Sequence, residues 1–244
     1  EKLSERRMTY GEIFGAAELK AAISGLYRTV GADGVVTTHG AAGANHLTLY
    51  SLVEAGDAVV SVMPTYQQLY SIPESYGARV RVLKLQKTEG FQPNLDRLRT
   101  LVNEKTKVIC INNPNNPTGA LMPEETLRGI VEIARGVGAY ILCDEVYRFL
   151  TQEEGYPESI ADLYEKGISV GSMSKVFSLA GLRLGWIATR SEEAMREILL
   201  HRDYDTISCG LIDEALAAVA LEAKEALIAR SRRIVRENLA ILDE

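Results

Sequence analysis

The sequence of 244 residues has few of the features that mark membrane proteins, metal centres or disulfide frameworks. Its three cysteines, Cys110, Cys143 and Cys209, lie far apart and show no Cys-x-x-Cys spacing, and only three histidines accompany them. No apolar run approaches the roughly 20 residues that cross a bilayer. We therefore expect no metal, no membrane association, and reduced core thiols in a cytoplasmic protein.

Positive charge is also scarce. The chain has 27 Lys and Arg against 33 Asp and Glu, which gives a formal net charge of −6. Nucleic-acid binding depends on clustered cations that neutralise phosphates, so we expect no nucleic-acid partner. A small anionic ligand in a local pocket remains open. With 46% hydrophobic residues, the chain is expected to bury one substantial core.

Apolar runs alternate with amphipathic segments along the chain, as in α/β proteins. This alternation predicts a mostly parallel sheet of about seven strands with helices on both faces, a three-layer αβα fold. The predicted strands are residues 34–38, 57–62, 79–85, 107–111, 139–143, 168–171 and 185–189. The predicted helices are residues 16–29, 43–54, 66–76, 95–103, 123–137 and 192–201, followed by a long helical pattern over 208–244.

Ligands of open α/β sheets bind beyond the carboxyl ends of the strands, so the residues that follow each strand are candidates for a site. Small residues, including Ala41 and Ala42, follow the first strand and lead into a helix, where backbone N–H groups can approach an anion. A tight turn without a ligand explains this segment equally well. Tyr66 follows the second strand and could stack on an aromatic ligand, or simply pack in a loop.

Polar residues follow the next strands. Asn116 lies in the segment 112–119, Asn-Asn-Pro-Asn-Asn-Pro-Thr-Gly, and could donate its amide to a phenolic oxygen. Asp144 directly follows a buried run, so a cationic partner is expected. Lys175 follows the sixth strand, where loss of solvation would make its amine available as a nucleophile or base. Taken alone, Lys175 would more often be a solvated surface lysine.

Four motifs occur in this chain in one order and spacing, and together they resemble those of the class I and II aminotransferases, which are fold type I pyridoxal-phosphate enzymes. They are Asn-Asn-Pro-Asn-Asn-Pro-Thr-Gly at 112–119, Asp-Glu-Val-Tyr at 144–147, Ser-Met-Ser-Lys at 172–175 and Gly-Leu-Arg-Leu-Gly at 181–185. The resemblance covers nearly the whole chain. It implies the large domain of such an enzyme and pyridoxal 5'-phosphate as the cofactor.

The resemblance also implies a role for individual residues. Lys175 is similar to the lysine that holds the cofactor as a Schiff base and later moves the substrate proton. Asp144 matches the partner of the pyridine nitrogen, which keeps the ring an electron acceptor. Asn116 and Tyr147 match the donors to the ring hydroxyl, and Tyr66 matches the aromatic residue that stacks on the ring.

For the cofactor phosphate, the resemblance implies several donors and one cation, as a dianion requires. These are the backbone N–H groups of Ala41 and Ala42, the hydroxyls of Ser172 and Ser174, and the guanidinium of Arg183. Tyr10 resembles a tyrosine that reaches the phosphate of the neighbouring subunit. A homodimer with shared sites is therefore expected.

The family pattern also extends beyond this sequence. The chain begins at Glu1 and ends at Glu244 within a helical pattern. We expect residues 1–244 to be the cofactor-binding large domain, with an N-terminal segment and a C-terminal small domain missing. The arginine that grips the substrate carboxylate in the family lies in that small domain, and other substrate contacts are expected in loops such as 151–159.

The expected activity is transfer of an amino group between an amino acid and a 2-oxo acid. A lyase, a cyclase or a synthase of the same fold would use the same residues, so these reactions remain alternatives. A non-catalytic sensing domain fused to a DNA-binding head is a third possibility, and the residues present contain no basic helix-turn-helix segment.

Overall fold

The computed structural model describes residues 7–151 and 155–242. Within these residues, seven strands form one sheet. They are β1 Val35–Thr38, β2 Ala58–Met63, β3 Arg79–Lys84, β4 Thr106–Asn112, β5 Tyr140–Asp144, β6 Gly167–Ser172 and β7 Gly185–Thr189. All seven predicted strands are present, with ends that differ by at most one residue.

The strand order across the sheet is β1-β7-β6-β5-β4-β2-β3. The pairs from β6 to β3 are all parallel, and β7 runs antiparallel to both β6 and β1. The prediction of a mostly parallel sheet is confirmed. Because β1, β4, β5 and β6 point the same way, the residues that follow them gather at one edge.

The helices cover both faces of the sheet. They are α1 Ala17–Ser24, α2 Gly40–Leu52, α3 Gln68–Ser75, α4 Leu95–Leu101, α5 Glu124–Val137, α6 Ile160–Leu163, α7 Glu192–Asp205, α8 Leu211–Glu222 and α9 Lys224–Leu242. Alternate residues of β4 face opposite sides: Val108 and Cys110 pack with α2 and α7, whereas Ile109 and Ile111 pack with α4, α5 and α6. This is the three-layer arrangement that the sequence predicts.

The burial of each strand matches the polarity of its residues. The central strands β5 and β6 are buried along their whole length and consist mainly of apolar and small residues. The edge strand β3 instead alternates, with Arg79, Arg81 and Lys84 exposed. Charged side chains on an edge strand discourage pairing with another chain.

Two helix predictions are corrected. The first helix ends at Ser24 rather than residue 29, because Gly25 caps it and the chain then turns toward β1. The pattern over 208–244 forms two helices that meet at Ala223. The change of direction lets α8 pack with α1, while Ser231 on α9 donates to the carbonyl of Val176 at 2.7 Å. Residues 243 and 244 lie outside the described residues.

The three cysteines are free and buried, as predicted. Burial raises the pKa of Cys209 to about 11 and that of Cys110 still further, which keeps both as thiols. In the described part of the chain, no helix is long and apolar enough to cross a membrane, and no cluster of His, Cys, Asp or Glu is placed to hold a metal ion.

A buried carboxylate joins the central sheet to the segment that leads into α6. Glu145 accepts hydrogen bonds from the hydroxyls of Ser159 and Ser169, at 2.8 and 2.7 Å, and from the Ile160 N–H at 2.8 Å. Burial raises the pKa of Glu145, while the nearby positive charge of Arg148 opposes that rise. Glu145 does not line the cavity that Asp144 lines, so we interpret it as a structural group.

We predict that Glu145→Leu lowers the free energy of unfolding by about 3 kcal/mol, since it leaves buried donors without their acceptor and removes the negative charge near the buried Arg148 guanidinium. Urea denaturation of the full-length protein measures the change. The control is Glu165→Leu, because solvent screens its exposed pair with Arg135 and little stability should be lost. Equal losses for the two variants would contradict this role of Glu145.

Candidate active site

The predicted site residues come together at the edge of the sheet where β1, β4, β5 and β6 end. They line one cavity of about 220 Å³. Ten of the predicted residues belong to its lining: Ala41, Ala42, Tyr66, Asn116, Asp144, Tyr147, Ser172, Ser174, Lys175 and Arg183. A larger groove of about 780 Å³ lies between the start of β1 and α7, and its lining contains none of them.

Asp144 forms the acidic end of the cavity. It is the last residue of β5 and only 2% exposed. Its carboxylate accepts hydrogen bonds from the Asn45 side-chain amide at 3.0 Å and from the Val146 N–H at 3.2 Å. Burial raises the pKa of Asp144 from 3.8 to about 6, although these donors and the charge of Lys175 act in the opposite direction.

Among the described residues, the groups that donate directly to the Asp144 carboxylate are amides, and the cationic partner that the sequence predicts stays a prediction. A backbone N–H and a side-chain amide already solvate the carboxylate in part. Burial still disfavours the charged form of this carboxylate, and a protonated heterocycle in the cavity would stabilise that form.

Asn116 and Tyr147 lie on the rim of the cavity. The backbone N–H of Asn116 donates to the Asn112 side-chain oxygen at 2.6 Å, and the Asn112 amide donates to the Asp144 carbonyl at 2.8 Å. The last residue of β4 therefore fixes the turn containing Asn116 against the end of β5. The turn also contains cis peptide bonds before Pro114 and Pro117.

Lys175 lies in the turn after β6, with its ammonium group 5.9 Å from the centroid of the Tyr147 ring. The side chain is exposed, so the predicted loss of solvation is wrong for the cavity as it stands. The reason is that the cavity opens to solvent on this side, three residues beyond the end of the strand.

The opposite end of the cavity suits an anion. Helix α2 begins at Gly40, and no side chain caps its first N–H groups, which belong to Ala41, Ala42 and their neighbours. The Arg183 guanidinium lies so close to Gly40 that a Cβ there would sit 2.8 Å from Nη2. Gly40, with φ of +70°, thus leaves the space that the guanidinium needs. The hydroxyls of Ser172 and Ser174 complete this end.

Two tyrosines occupy different positions. Tyr66 lines the cavity and is 39% exposed. Tyr10 lies outside the cavity lining and is 80% exposed, so its role toward a neighbouring subunit stays a prediction. Of the loop 151–159, in which substrate contacts were expected, residues 152–154 lie outside the described residues.

Sequence reasoning missed Asn45 and Gln68. Asn45 lies on α2 between core residues and is fully buried, and its amide also approaches the Gln68 side-chain oxygen at 3.4 Å. The sequence contained one usable signal, which is a single Asn within an otherwise apolar stripe of a helix. Gln68 has no such signal, because it lies at the start of α3 among other polar residues.

Comparison with known proteins shows the family. The family profile described as aminotransferase class I and II matches residues 1–242. The chain belongs to this family, whose members are transferases that use pyridoxal phosphate.

Relatives of known name support this assignment. Capreomycidine synthase of Streptomyces vinaceus is 31% identical over 228 residues, which is 93% of this chain and 58% of that protein. The aspartate aminotransferase of Thermotoga maritima is 27% identical over 216 residues, 88% of this chain and 57% of that protein. The chain therefore spans a little over half the length of these relatives.

Solved structures share the fold. A PLP-dependent aminotransferase from Streptococcus suis 89-1591 matches with a TM-score of 0.95 and 47% identity, over 99% of this chain and 64% of that one. N-succinyldiaminopimelate aminotransferase from Mycobacterium tuberculosis matches with a TM-score of 0.90 and 27% identity, over 96% of this chain and 64% of that one.

The residues of the cavity fit pyridoxal phosphate. One end holds a buried carboxylate whose direct donors among the described residues are amides, and the other holds backbone donors, hydroxyls and a guanidinium suited to a phosphate dianion. Hydrogen-bond donors and an amine lie between them. The charge pattern of the cofactor is complementary to this arrangement.

The raised pKa of Asp144 predicts a pH-dependent effect on stability. Because the folded-state pKa lies above that of an unfolded aspartate, ionisation opposes folding, and the penalty develops as pH rises from about 4 through about 6. Asp144→Asn in the cofactor-free full-length protein should raise the free energy of unfolding by about 2 to 3 kcal/mol at pH 8 and change it little at pH 4.5. Urea denaturation at both pH values tests this, and an equal effect at each would contradict it.

Proposed function

We propose that residues 1–244 form the cofactor-binding domain of a pyridoxal-phosphate-dependent aminotransferase, which moves an amino group between an amino acid and a 2-oxo acid. The observation that supports this most strongly is the shared cavity of Asp144 and Lys175. Asp144 is the last residue of β5, Lys175 follows the adjacent strand β6, and an anion-binding end lies beside them. Family membership and the two named aminotransferase relatives agree with this proposal.

When bound, the cofactor supplies an electron-accepting ring that stabilises negative charge at the substrate Cα. The chain supplies the electrostatics around it. An ionised Asp144 would bind the protonated pyridine nitrogen, and the side chains of Asn116 and Tyr147 would donate to the ring oxygen. Tyr66 would cover one face of the ring.

Lys175 would have two tasks in turn. At rest its amine would hold the cofactor, and once a substrate amine has taken that place, the free Nζ would remove and return a proton at the substrate Cα. The exposure of Lys175 is consistent with this exchange, because the amine must be reachable by an incoming amino acid. The Arg183 guanidinium and the first N–H groups of α2 would hold the phosphate meanwhile.

We predict that Lys175→Ala in the full-length protein abolishes the imine absorbance and lowers the rate by about 100-fold or more, while the fold is retained. Absorbance spectra after addition of pyridoxal phosphate, together with coupled assays of amino transfer, measure both effects. The matched control is Lys84→Ala, an exposed lysine on the edge strand β3. An unchanged spectrum and rate in Lys175→Ala would overturn the proposal.

A second candidate has a specific observation in its favour, which is the 31% identity to capreomycidine synthase over 93% of the chain. A cyclase or synthase that converts a single amino acid would use the same cofactor residues. Only the aminotransferase needs a 2-oxo acid as the acceptor of the amino group. Consumption of a 2-oxo acid together with the amino acid indicates transfer, and conversion of the amino acid alone indicates the second candidate.

We also propose a homodimer in which Tyr10 of one subunit reaches the phosphate held by its neighbour. Several large side chains close to this tyrosine in the sequence are also exposed: Met8, Ile13 and Phe14. Exposed apolar side chains along one segment suit a subunit contact.

We propose a cytoplasmic location as well. The free, buried thiols are consistent with it, and fractionation of cells would test it.

We predict that Tyr10→Phe weakens cofactor binding by about tenfold, because one hydrogen bond to a charged phosphate is lost. Mixing this variant with Lys175→Ala should regenerate tight, active sites, since a mixed dimer contains one native pair of Lys175 and Tyr10. Cofactor titration and activity of the mixture measure this. Activity of the mixture no greater than the sum of its parts would argue against shared sites.

A further inference from the structure

Asn45 occupies a position on α2 where the sequence pattern calls for an apolar residue. Leu49 and Leu52, one and two turns later on the same side of the helix, belong to the core between α2 and the sheet, as does Ala44. Asn45 itself is fully buried, and its side-chain oxygen has no hydrogen-bond partner among the described residues. A half-satisfied amide in a core is unfavourable for stability, so its presence points to a task at the site.

The contacts of the amide nitrogen indicate that task. It donates to the Asp144 carboxylate at 3.0 Å and to the Gln68 side-chain oxygen at 3.4 Å. The Gln68 amide in turn lies 3.5 Å from the carbonyl of Ala42. A chain of hydrogen bonds therefore connects the acidic end of the cavity with the turn at its anion-binding end.

We propose that Asn45 is a positioning residue, whose amide holds the Asp144 carboxylate in the orientation and charge state in which it binds the cofactor's pyridine nitrogen. This inference rests on the proposed function and deepens it. Asn45 acts through Asp144 and does not line the cavity. The link through Gln68 fixes the carboxylate relative to the phosphate-binding turn, so the two ends of the cofactor are held at a set separation.

The charges that face Asp144 make this donor necessary. Glu145, the next residue on the chain, disfavours ionisation of Asp144, and Lys175 beyond β6 favours it. Burial is the largest influence and also favours the neutral acid. With the cofactor bound, the donors of Asn45 and Val146 would stabilise the carboxylate whatever the charge on Lys175.

The test is titration of the full-length protein with pyridoxal phosphate between pH 6 and pH 9. For Asn45→Leu, which has a similar volume and no donor, we expect the dissociation constant at pH 7 to rise by about 10- to 100-fold. We expect the difference to shrink toward pH 9, where Asp144 ionises without help.

Thr48→Val is the matched control. Thr48 lies three residues further along α2, is fully buried, and its hydroxyl has no partner among the described residues. The control should bind the cofactor as the wild type does. Equal weakening by both substitutions would assign the effect to packing of α2 and overturn the inference.

Two further outcomes separate this inference from the proposed function. Equal affinity of Asn45→Leu and wild type at every pH would overturn the role of Asn45 and leave the function intact. Failure of the wild type itself to bind pyridoxal phosphate would overturn the proposed function. If Asn45→Leu does not fold, Asn45→Ala is titrated in the same way. Weaker binding of pyridoxal phosphate then supports the role of Asn45, and unchanged binding overturns it.

Discussion

The burial of one carboxylate is the constraint on which the site depends. Asp144 ends the central strand β5, where it is 2% exposed, and burial raises its pKa to about 6. A group in that position is close to the boundary between its two charge states at neutral pH, so neighbouring donors decide which state prevails. The amide on α2 and the backbone beyond β5 favour the charged state, and a cationic ring would favour it further.

The sheet could be predicted from the sequence because its central strands are apolar runs separated by amphipathic segments. The chemistry at the strand ends could be predicted as well, since Asn116, Asp144 and Lys175 each follow a buried run. The predictions that were wrong concern features that depend on tertiary contacts. The exposure of Lys175 depends on how widely the cavity opens, and the division of the last helical segment at Ala223 depends on what each half packs against.

The hydrogen bonds that position the site residues could not be predicted from the sequence for a similar reason. Asn45 is 99 residues from Asp144 along the chain, and only the packing of α2 on the sheet brings them together. Asn112 was visible as one member of an asparagine cluster, yet its two hydrogen bonds, to the Asn116 N–H and the Asp144 carbonyl, require the register of β4 on β5. Such residues are recognised by their contacts rather than by a motif.

The reversed direction of β7 has a consequence for how the site can vary. Gly185 pairs with Thr38 on one side and Ser172 on the other, so the start of β7 lies at the same edge as the ends of β1 and β6. A single connection, residues 173–184, leaves that edge and returns to it, and it contains both the amine of Lys175 and the guanidinium of Arg183. Insertions in this connection would displace two functional groups at once, whereas insertions in loops at the opposite ends of the strands would displace neither. We therefore expect related sequences to keep the length of this connection.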